Sequence, residues 1–231
     1  MRRMCLIIGM MLLAALWLGP LPEAAPQRFA AHMTMHMGVV AVAAPLIAIG
    51  LARGRFDPVR AWPQYFHPIV ASVVEMAVVW GWHAPGLHHF ARSGWMGLGL
   101  EQGMFLAAGL FVWMSALGGD GSGRRAAAGV IGLLLTAMHM TLLGALLALA
   151  PRPIYHGSDA AGAVGAFATG GLFAGLSPLE DQQLGGAIML LIGGIAYLAG
   201  GLYLSATVLR GAPATGDEVV VALGVEEGNS A

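Results

Sequence analysis

Apolar residues divide the chain into long hydrophobic segments separated by short polar ones. We predict five membrane spans from this pattern, at 33–51, 65–82, 95–117, 126–150 and 184–209. A further apolar segment, 4–18, follows Arg2-Arg3 and precedes Pro20 and Pro22, which is the pattern of a signal peptide. The segment is short for a span, so cleavage and retention as a first span both stay open.

The rest of the chain is organised around these spans. We predict a transmembrane helix bundle over 32–210, after a signal-like segment or first span with an outer linker (1–31). The polar, acidic residues 211–231 indicate a disordered cytoplasmic tail. Within the last outer loop, 160–176 is rich in Gly and Ala, and a short helix, a re-entrant piece and a surface segment remain alternatives.

The composition agrees with an all-α, polytopic membrane protein. Hydrophobic residues make up 58% of the chain and charged residues only 10%, whereas soluble domains carry about 25% charged residues. The lipid bilayer is therefore an expected partner, and nucleic acid is not. The single cysteine, Cys5, excludes an internal disulfide and a Cys-rich metal site.

The basic residues, all of them arginines, predict the orientation. Three fall in the loops on one side of the predicted spans (Arg28, Arg92, Arg152) and eight on the other (Arg2, Arg3, Arg53, Arg55, Arg60, Arg124, Arg125, Arg210). The positive-inside rule places the larger group in the cytoplasm. Six histidines then lie at or near the outer face: His32, His36, His83, His88, His89 and His156.

The stretch 32–37 concentrates side chains that bind soft metals. His32 and His36 are four residues apart and share a helix face, and Met33, Met35 and Met37 lie between and beside them. Imidazole and thioether ligands together suit copper, particularly Cu(I). Methionines that fill an apolar core and histidines at a membrane interface are the alternative interpretation.

Ionisable side chains inside spans are functional candidates because they are costly to insert. Glu75, Glu101 and His139 qualify, and Met138 is beside His139. A site that joins His36, Glu101 and His139 requires a tilted helix or a water-filled cavity, since His139 is predicted to lie deeper. Protonated carboxyls hydrogen-bonded to a neighbouring helix are the alternative for the two glutamates.

Two loop segments add further candidates. His83, between Trp82 and Pro85, is either a ligand or a helix-end cap, and the pair 88–89 is predicted to be solvated. Asp181 caps the last helix or, together with Gln182, holds a histidine in one tautomer.

No catalytic motif is present: the chain contains no nucleophile elbow, Walker loop, HExxH or CxxC. We therefore expect a protein that is not an enzyme.

The combined motifs resemble the polytopic CtaG family of integral-membrane assembly factors for cytochrome c oxidase. The resemblance covers about 31–204 and rests on His-Met-Thr-Met-His-Met at 32–37, Trp-His-Ala-Pro at 82–85, Leu-Leu-Gly at 142–144 and, most specifically, Asp-Gln-Gln-Leu-Gly-Gly at 181–186. The matching family positions are His32, His36, His83, His139, Asp181 and Gln182. The family's His-x-x-Glu-His pattern is reduced here to Glu101 without either histidine, which implies an altered site.

The resemblance implies a bacterial inner-membrane factor that binds copper at a periplasmic or extracellular face and helps deliver it to the oxidase copper centre. The expected ligands are His32, His36, His83, His139, Met33, Met35, Met37 and Met138, supported by Glu101, Asp181 and Gln182. Oxidase subunits are the expected protein partners, and a homo-oligomer stays open. A haem-binding or redox protein, a metal permease and a structural scaffold are the alternative functions.

Overall fold

A computed structural model describes residues 1–155, 173 and 175–211, and this part of the chain contains helices and no strand. The helices are α1 Arg2–Leu18, α2 Leu21–Ala24, α3 Phe29–Met37, a π-helix Gly38–Ala43, α4 Ala44–Leu51, α5 Pro58–Ala61, α6 Pro68–His83, α7 Pro85–Arg92, α8 Trp95–Leu117, α9 Gly123–Ala148 and α10 Pro178–Gly211. His156, most of 160–176 and the tail 212–231 lie outside the described residues, so the predictions made for them stay predictions.

Four helical segments of the described chain are long and apolar enough to cross a membrane: Phe29–Leu51, Trp95–Leu117, Gly123–Ala148 and Pro178–Arg210. The predicted second span is a shorter apolar helix, Pro68–His83. Proline explains both of its ends, because Pro68 starts the helix and Pro85 disfavours helical backbone at Ala84. Four of the five predicted spans are therefore confirmed as candidate membrane spans, and the second stays a prediction.

Two further boundaries differ from the prediction. The last helix begins at Pro178 rather than at 184, because Ser177 and Glu180 form a capping box: the Ser177 N–H donates to the Glu180 carboxylate (2.8 Å) and the Glu180 N–H to the Ser177 hydroxyl (3.3 Å). The predicted outer turn after Trp82 contains the helix α7 instead.

The N-terminal helix α1 packs along α4. Gly50 permits this approach, because a side chain there would collide with Leu6. The Arg2 guanidinium donates to the carbonyl oxygens of Leu51, Ala52 and Arg53, which lie at the C-terminal end of α4. A cation at this end opposes the negative pole of the helix dipole.

The π-helix interrupts the first long span next to a proline. Pro45 lacks an N–H, and its ring crowds the carbonyl group four residues earlier, so a widened turn relieves the conflict. The Val40 carbonyl in this turn accepts a hydrogen bond from the Trp113 indole N–H (3.0 Å). This bond joins the first long span to α8.

The arginines mark the two ends of the bundle. Arg2 lies beside the backbone of Arg53, and the Arg125 guanidinium donates to the Phe66 carbonyl oxygen, all at one end. We call this the arginine end. Arg92 lies at the opposite end, where its guanidinium donates to the Ala25 carbonyl oxygen (3.4 Å).

A candidate metal centre

Four histidine side chains converge at the end opposite the arginine end. His32 and His36 come from α3, His83 from the end of α6, and His88 from α7, and none is more than 5% exposed. Ring centroids are 5.4 Å apart for His32–His88, 5.4 Å for His36–His83 and 6.0 Å for His32–His83. We call these four residues the histidine cluster.

Local structure explains how three separate segments reach one place. His32 and His36 share a helix face, as predicted from their spacing. Pro85 begins α7 directly after the turn that ends α6, and His88 and Ala91 form the buried side of this short helix. The prediction of a solvated His88 is therefore wrong, whereas its neighbour His89 is exposed.

Glu101 of α8 joins the cluster. Its carboxylate oxygen lies 3.5 Å from Nδ1 of His32, and Glu101 is fully buried. His32, His88 and Glu101 each offer one ligand atom, and the three atoms lie within 4.8 Å of one another. These three side chains could therefore hold one metal ion.

Many buried polar atoms of the cluster have no hydrogen-bond partner among the described residues. They are Nε2 of His32, both ring nitrogens of His36, Nε2 of His83, both ring nitrogens of His88, and both carboxylate oxygens of Glu101. Unpaired buried polar groups are uncommon and each costs about 1–3 kcal/mol. Their convergence on one place indicates a site for a cation or for ordered water.

The His83 ring is oriented for binding. Its Nδ1 lies 2.6 Å from the Val79 carbonyl oxygen, which only accepts, so Nδ1 carries the hydrogen. The lone pair is therefore on Nε2, which has no other partner. A backbone carbonyl that fixes one ring nitrogen of a histidine while the other faces a metal is a common arrangement. His83 thus donates a hydrogen bond to the last turn of its own helix through Nδ1, and the lone pair of Nε2 remains available to a metal ion.

Aromatic rings enclose the histidines. The Phe105 ring centroid lies 4.0 Å from that of His36, and the Tyr155 ring centroid lies 4.0 Å from that of His88. The Tyr155 hydroxyl donates to the His83 carbonyl oxygen (2.8 Å), and burial raises the pKa of Tyr155 to about 12. The enclosure excludes water and strengthens electrostatic interactions inside it.

A partly buried cation, Arg92, lies beside the cluster. The Arg92 guanidinium carbon is 5.8 Å from the Phe29 ring centroid, and the guanidinium interacts electrostatically with the carboxylates of Asp181 and Glu101. Burial, followed by the charge of Arg92, lowers the pKa of His88 to about 2, so this imidazole is neutral at physiological pH. Sequence reasoning missed Arg92, although it follows His88 by four residues and so shares its helix face.

Asp181 and Gln182 position backbone rather than histidines. The Asp181 carboxylate accepts the N–H groups of Phe29 (2.6 Å) and Ala30 (3.1 Å), so it caps α3 and not its own helix. The Gln182 amide accepts the Ile154 N–H (2.7 Å) and donates to the Leu147 carbonyl oxygen (3.2 Å). Within the part of the chain that the structure describes, neither side chain hydrogen-bonds to an imidazole, so neither of the two roles expected for Asp181 is observed.

The remainder of the 181–186 motif serves helix packing. A side chain at Gly186 would collide with the backbone of Ala148 at the end of α9. Together with Asp181 and Gln182, this close contact ties α10 to α3 and α9 beside the histidine cluster. The motif therefore holds the segments that carry His32 and Tyr155.

His139 lies apart from the histidine cluster. Its Nε2 is 3.9 Å from the Glu75 carboxylate, which also accepts a hydrogen bond from the Tyr197 hydroxyl (3.0 Å). Among the described residues no ring contact or ion pair links His139 to His36 or Glu101. The predicted combination of those three residues is not present, and we call Glu75, His139 and Tyr197 the inner triad.

The methionines that were predicted as thioether ligands lie in the apolar cores or on the outside of the bundle. Met33 and Met37 belong to the main apolar core, and Met35 belongs to a second core that includes residues of α1 and Leu98. Met138 is 60% exposed on the outside of α9. The structure therefore supports the alternative interpretation of the methionines as core and surface side chains.

Comparison with protein families matches residues 1–211 to the model for the cytochrome c oxidase caa3 assembly factor (Caa3_CtaG). No curated protein and no solved structure gave a match. The match covers all the described helices, including α1 and the 181–186 motif. The chain belongs to the Caa3_CtaG family of cytochrome c oxidase assembly factors.

Proposed function

We propose that the protein binds copper at the histidine cluster and supplies it to the copper centre of cytochrome c oxidase during assembly. The observation that carries the proposal is the convergence of four buried imidazoles and Glu101 with unpaired ligand atoms. Membership of an oxidase assembly family supports oxidase subunits as the recipients. Copper is cargo in this proposal, and the protein is not an enzyme.

The donor atoms suit an exchangeable copper ion. Imidazole is a good copper ligand, and uncharged ligands release an ion more readily than thiolates do. The nearby positive charge of Arg92 disfavours a divalent ion more strongly than a monovalent one, because Coulomb repulsion grows with charge. We therefore propose Cu(I) as the bound form. His88 is among the proposed ligands, and the predicted His139 and methionines are not.

The two ends of the bundle support an orientation. Positive residues favour the cytoplasmic side, so the arginine end faces the cytoplasm and the histidine cluster faces the periplasm or cell exterior. In a bacterial inner membrane this places the bound copper on the side where oxidase copper centres with exposed domains are assembled.

The haem alternative has less support from the packing of the cluster. The imidazole centroids are only 5.4–6.0 Å apart, and Phe105 fills the space beside His36. These distances leave room for an ion, whereas a macrocycle requires the rings to separate. An absorption spectrum with a Soret band would favour haem over copper.

Copper loading of the detergent-purified protein tests the proposal. We expect one Cu(I) per chain under anaerobic, reducing conditions, and loss of that copper in the double variant His32→Ala/His88→Ala, which removes two of the three converging ligand residues. His89→Ala is the matched control, because His89 is exposed and adjoins a cluster residue in sequence. Equal copper in wild type and double variant, both monodisperse, would contradict copper binding at the histidine cluster, and a wild type without copper would leave a scaffold role.

A further inference from the structure

An apolar groove with a volume of about 650 Å³ follows the side of the bundle towards the arginine end. The π-helix and α4 form one wall, α8 the floor and α10 the other wall. Its lining includes Ala41, Pro45, Ile49, Trp113, Ala199 and Tyr203. Ile49 is 41% exposed and Tyr203 56% exposed, so the groove opens sideways, where lipid surrounds a membrane protein.

The Trp113 ring is a fixed part of this groove. Its indole N–H donates to the Val40 carbonyl oxygen, and its ring stacks on Tyr197 with centroids 5.3 Å apart. Gly200 lets α10 pack directly against this ring, because a side chain there would collide with it, and the ring is only 3% exposed, so its edge borders the groove. The groove is thus a preformed feature of helix packing.

The length of the groove matches one leaflet of a bilayer. Its lining runs along the first long span from Ala41 to Ala52, about 17 Å at 1.5 Å per residue. One leaflet contributes about 15 Å of hydrocarbon. A transmembrane helix from a partner would need a surface across both leaflets, so the groove fits an acyl chain better than a protein helix.

Two positive charges lie at the arginine end of the groove. Arg2 and Arg53 line it, and both are exposed. Over residues 1–155 and 175–210, no carboxylate lies within 4.0 Å of either guanidinium. The nearby Asp57 carboxylate accepts three backbone N–H groups instead, from Arg53, Val59 and Gly119.

We infer that this groove binds an anionic phospholipid of the cytoplasmic leaflet, with an acyl chain along Trp113 and the phosphate on Arg2 and Arg53. Basic pockets between transmembrane helices on the cytoplasmic side are suited to anionic head groups. Guanidinium groups pair with phosphate oxygens through charge-assisted hydrogen bonds. The inference does not depend on copper binding.

Fluorescence quenching by brominated lipids tests the site. The full chain is reconstituted in phosphatidylcholine vesicles that contain either brominated phosphatidylglycerol or brominated phosphatidylcholine, and Trp113→Phe identifies the signal of Trp113. We expect phosphatidylglycerol to quench this signal at several-fold lower mole fraction. Arg53→Gln should reduce that preference about five-fold, as one lost arginine implies.

Three variants complete the design. Arg60→Gln is the matched control, because Arg60 is exposed and does not line the groove. Arg53→Lys should keep most of the preference for phosphatidylglycerol, because it keeps the positive charge. A loss in Arg53→Gln but not in Arg53→Lys therefore reflects the charge and not misfolding. Ala199→Phe should fill the groove and protect Trp113 from both brominated lipids.

Several outcomes would overturn the inference. Equal quenching of Trp113 by the two lipids, or equal effects of Arg53→Gln and Arg60→Gln, would exclude an anionic headgroup site. A Trp113 signal that neither brominated lipid quenches would exclude a lipid in the groove, and a change in Trp113 emission when oxidase subunits are added would then assign the groove to a protein helix.

Discussion

The histidine cluster and the inner triad are both buried groups of ionisable side chains, yet they differ in how many possible ligands they bring together. In the inner triad the Glu75 carboxylate accepts from Tyr197 and faces His139, and nearby the Thr136 hydroxyl donates to Ser72 (2.9 Å). Both groups contain buried atoms that have no hydrogen-bond partner in the described part of the chain: most ring nitrogens and both Glu101 oxygens in the histidine cluster, and one Glu75 oxygen and both His139 nitrogens in the inner triad. The histidine cluster differs because it brings three possible ligand residues, His32, His88 and Glu101, together with their ligand atoms within 4.8 Å of one another. The convergence of several ligand atoms, rather than an unpaired atom by itself, therefore distinguishes a candidate binding site from a structural contact.

The largest difference between the two groups is expected in copper affinity. His88→Ala should weaken Cu(I) binding at least ten-fold, because it removes a ligand atom, whereas His139→Ala should leave the affinity unchanged. Competition with a chromogenic Cu(I) chelator measures both. Equal losses in the two variants would place His139 in the same site and contradict the separation.

The next effect concerns the support of the cluster. Asp181→Ala should lower the free energy of unfolding by about 2–3 kcal/mol, because two N–H groups of α3 lose a charged acceptor. Copper affinity should fall with it, since α3 carries His32. Thermal unfolding of the detergent-purified protein measures the stability.

Glu180→Ala is the matched control for that prediction. Glu180 lies beside Asp181 but caps its own helix at the exposed end of α10. We expect a smaller loss of stability than in Asp181→Ala, because Glu180 is exposed, without any change in copper affinity. An equal loss of copper in both variants would remove the specific role assigned to Asp181.

A moderate effect is expected in the inner triad. Tyr197→Phe removes the hydroxyl that donates to Glu75 and should lower the free energy of unfolding by about 1–3 kcal/mol. Copper binding should be unaffected, because the triad lies apart from the histidine cluster. A loss of copper with unchanged stability would show instead that the triad acts on the metal site.

The smallest effect tests the methionines. Met138→Leu should change neither stability nor Cu(I) affinity by a measurable amount, because the side chain is exposed on the outside of α9. Met33→Leu should also preserve copper binding, at a stability cost below about 1.5 kcal/mol for a swap of similar volume. A ten-fold loss of Cu(I) affinity in either variant would restore a thioether ligand.

Features that depend on neighbours along the chain were predictable from the sequence. Apolar length predicted four of the spans to within a few residues, although the last helix begins six residues earlier than predicted, and helical spacing predicted that His32 and His36 share a face. The family resemblance was likewise readable from short motifs and is confirmed by the match over residues 1–211. These features follow from local geometry, which repeats every few residues.

Contacts between helices were decided only by the tertiary structure. The sequence predicted that His139 joins His36 and that His88 is solvated. In the structure, His139 lies beside Glu75, and His88 is buried against Tyr155. Asp181 caps a helix 152 residues away rather than its own. Such pairings depend on the rotation and axial offset of each helix, which are set by the combined packing of all its neighbours and are not encoded in any single segment.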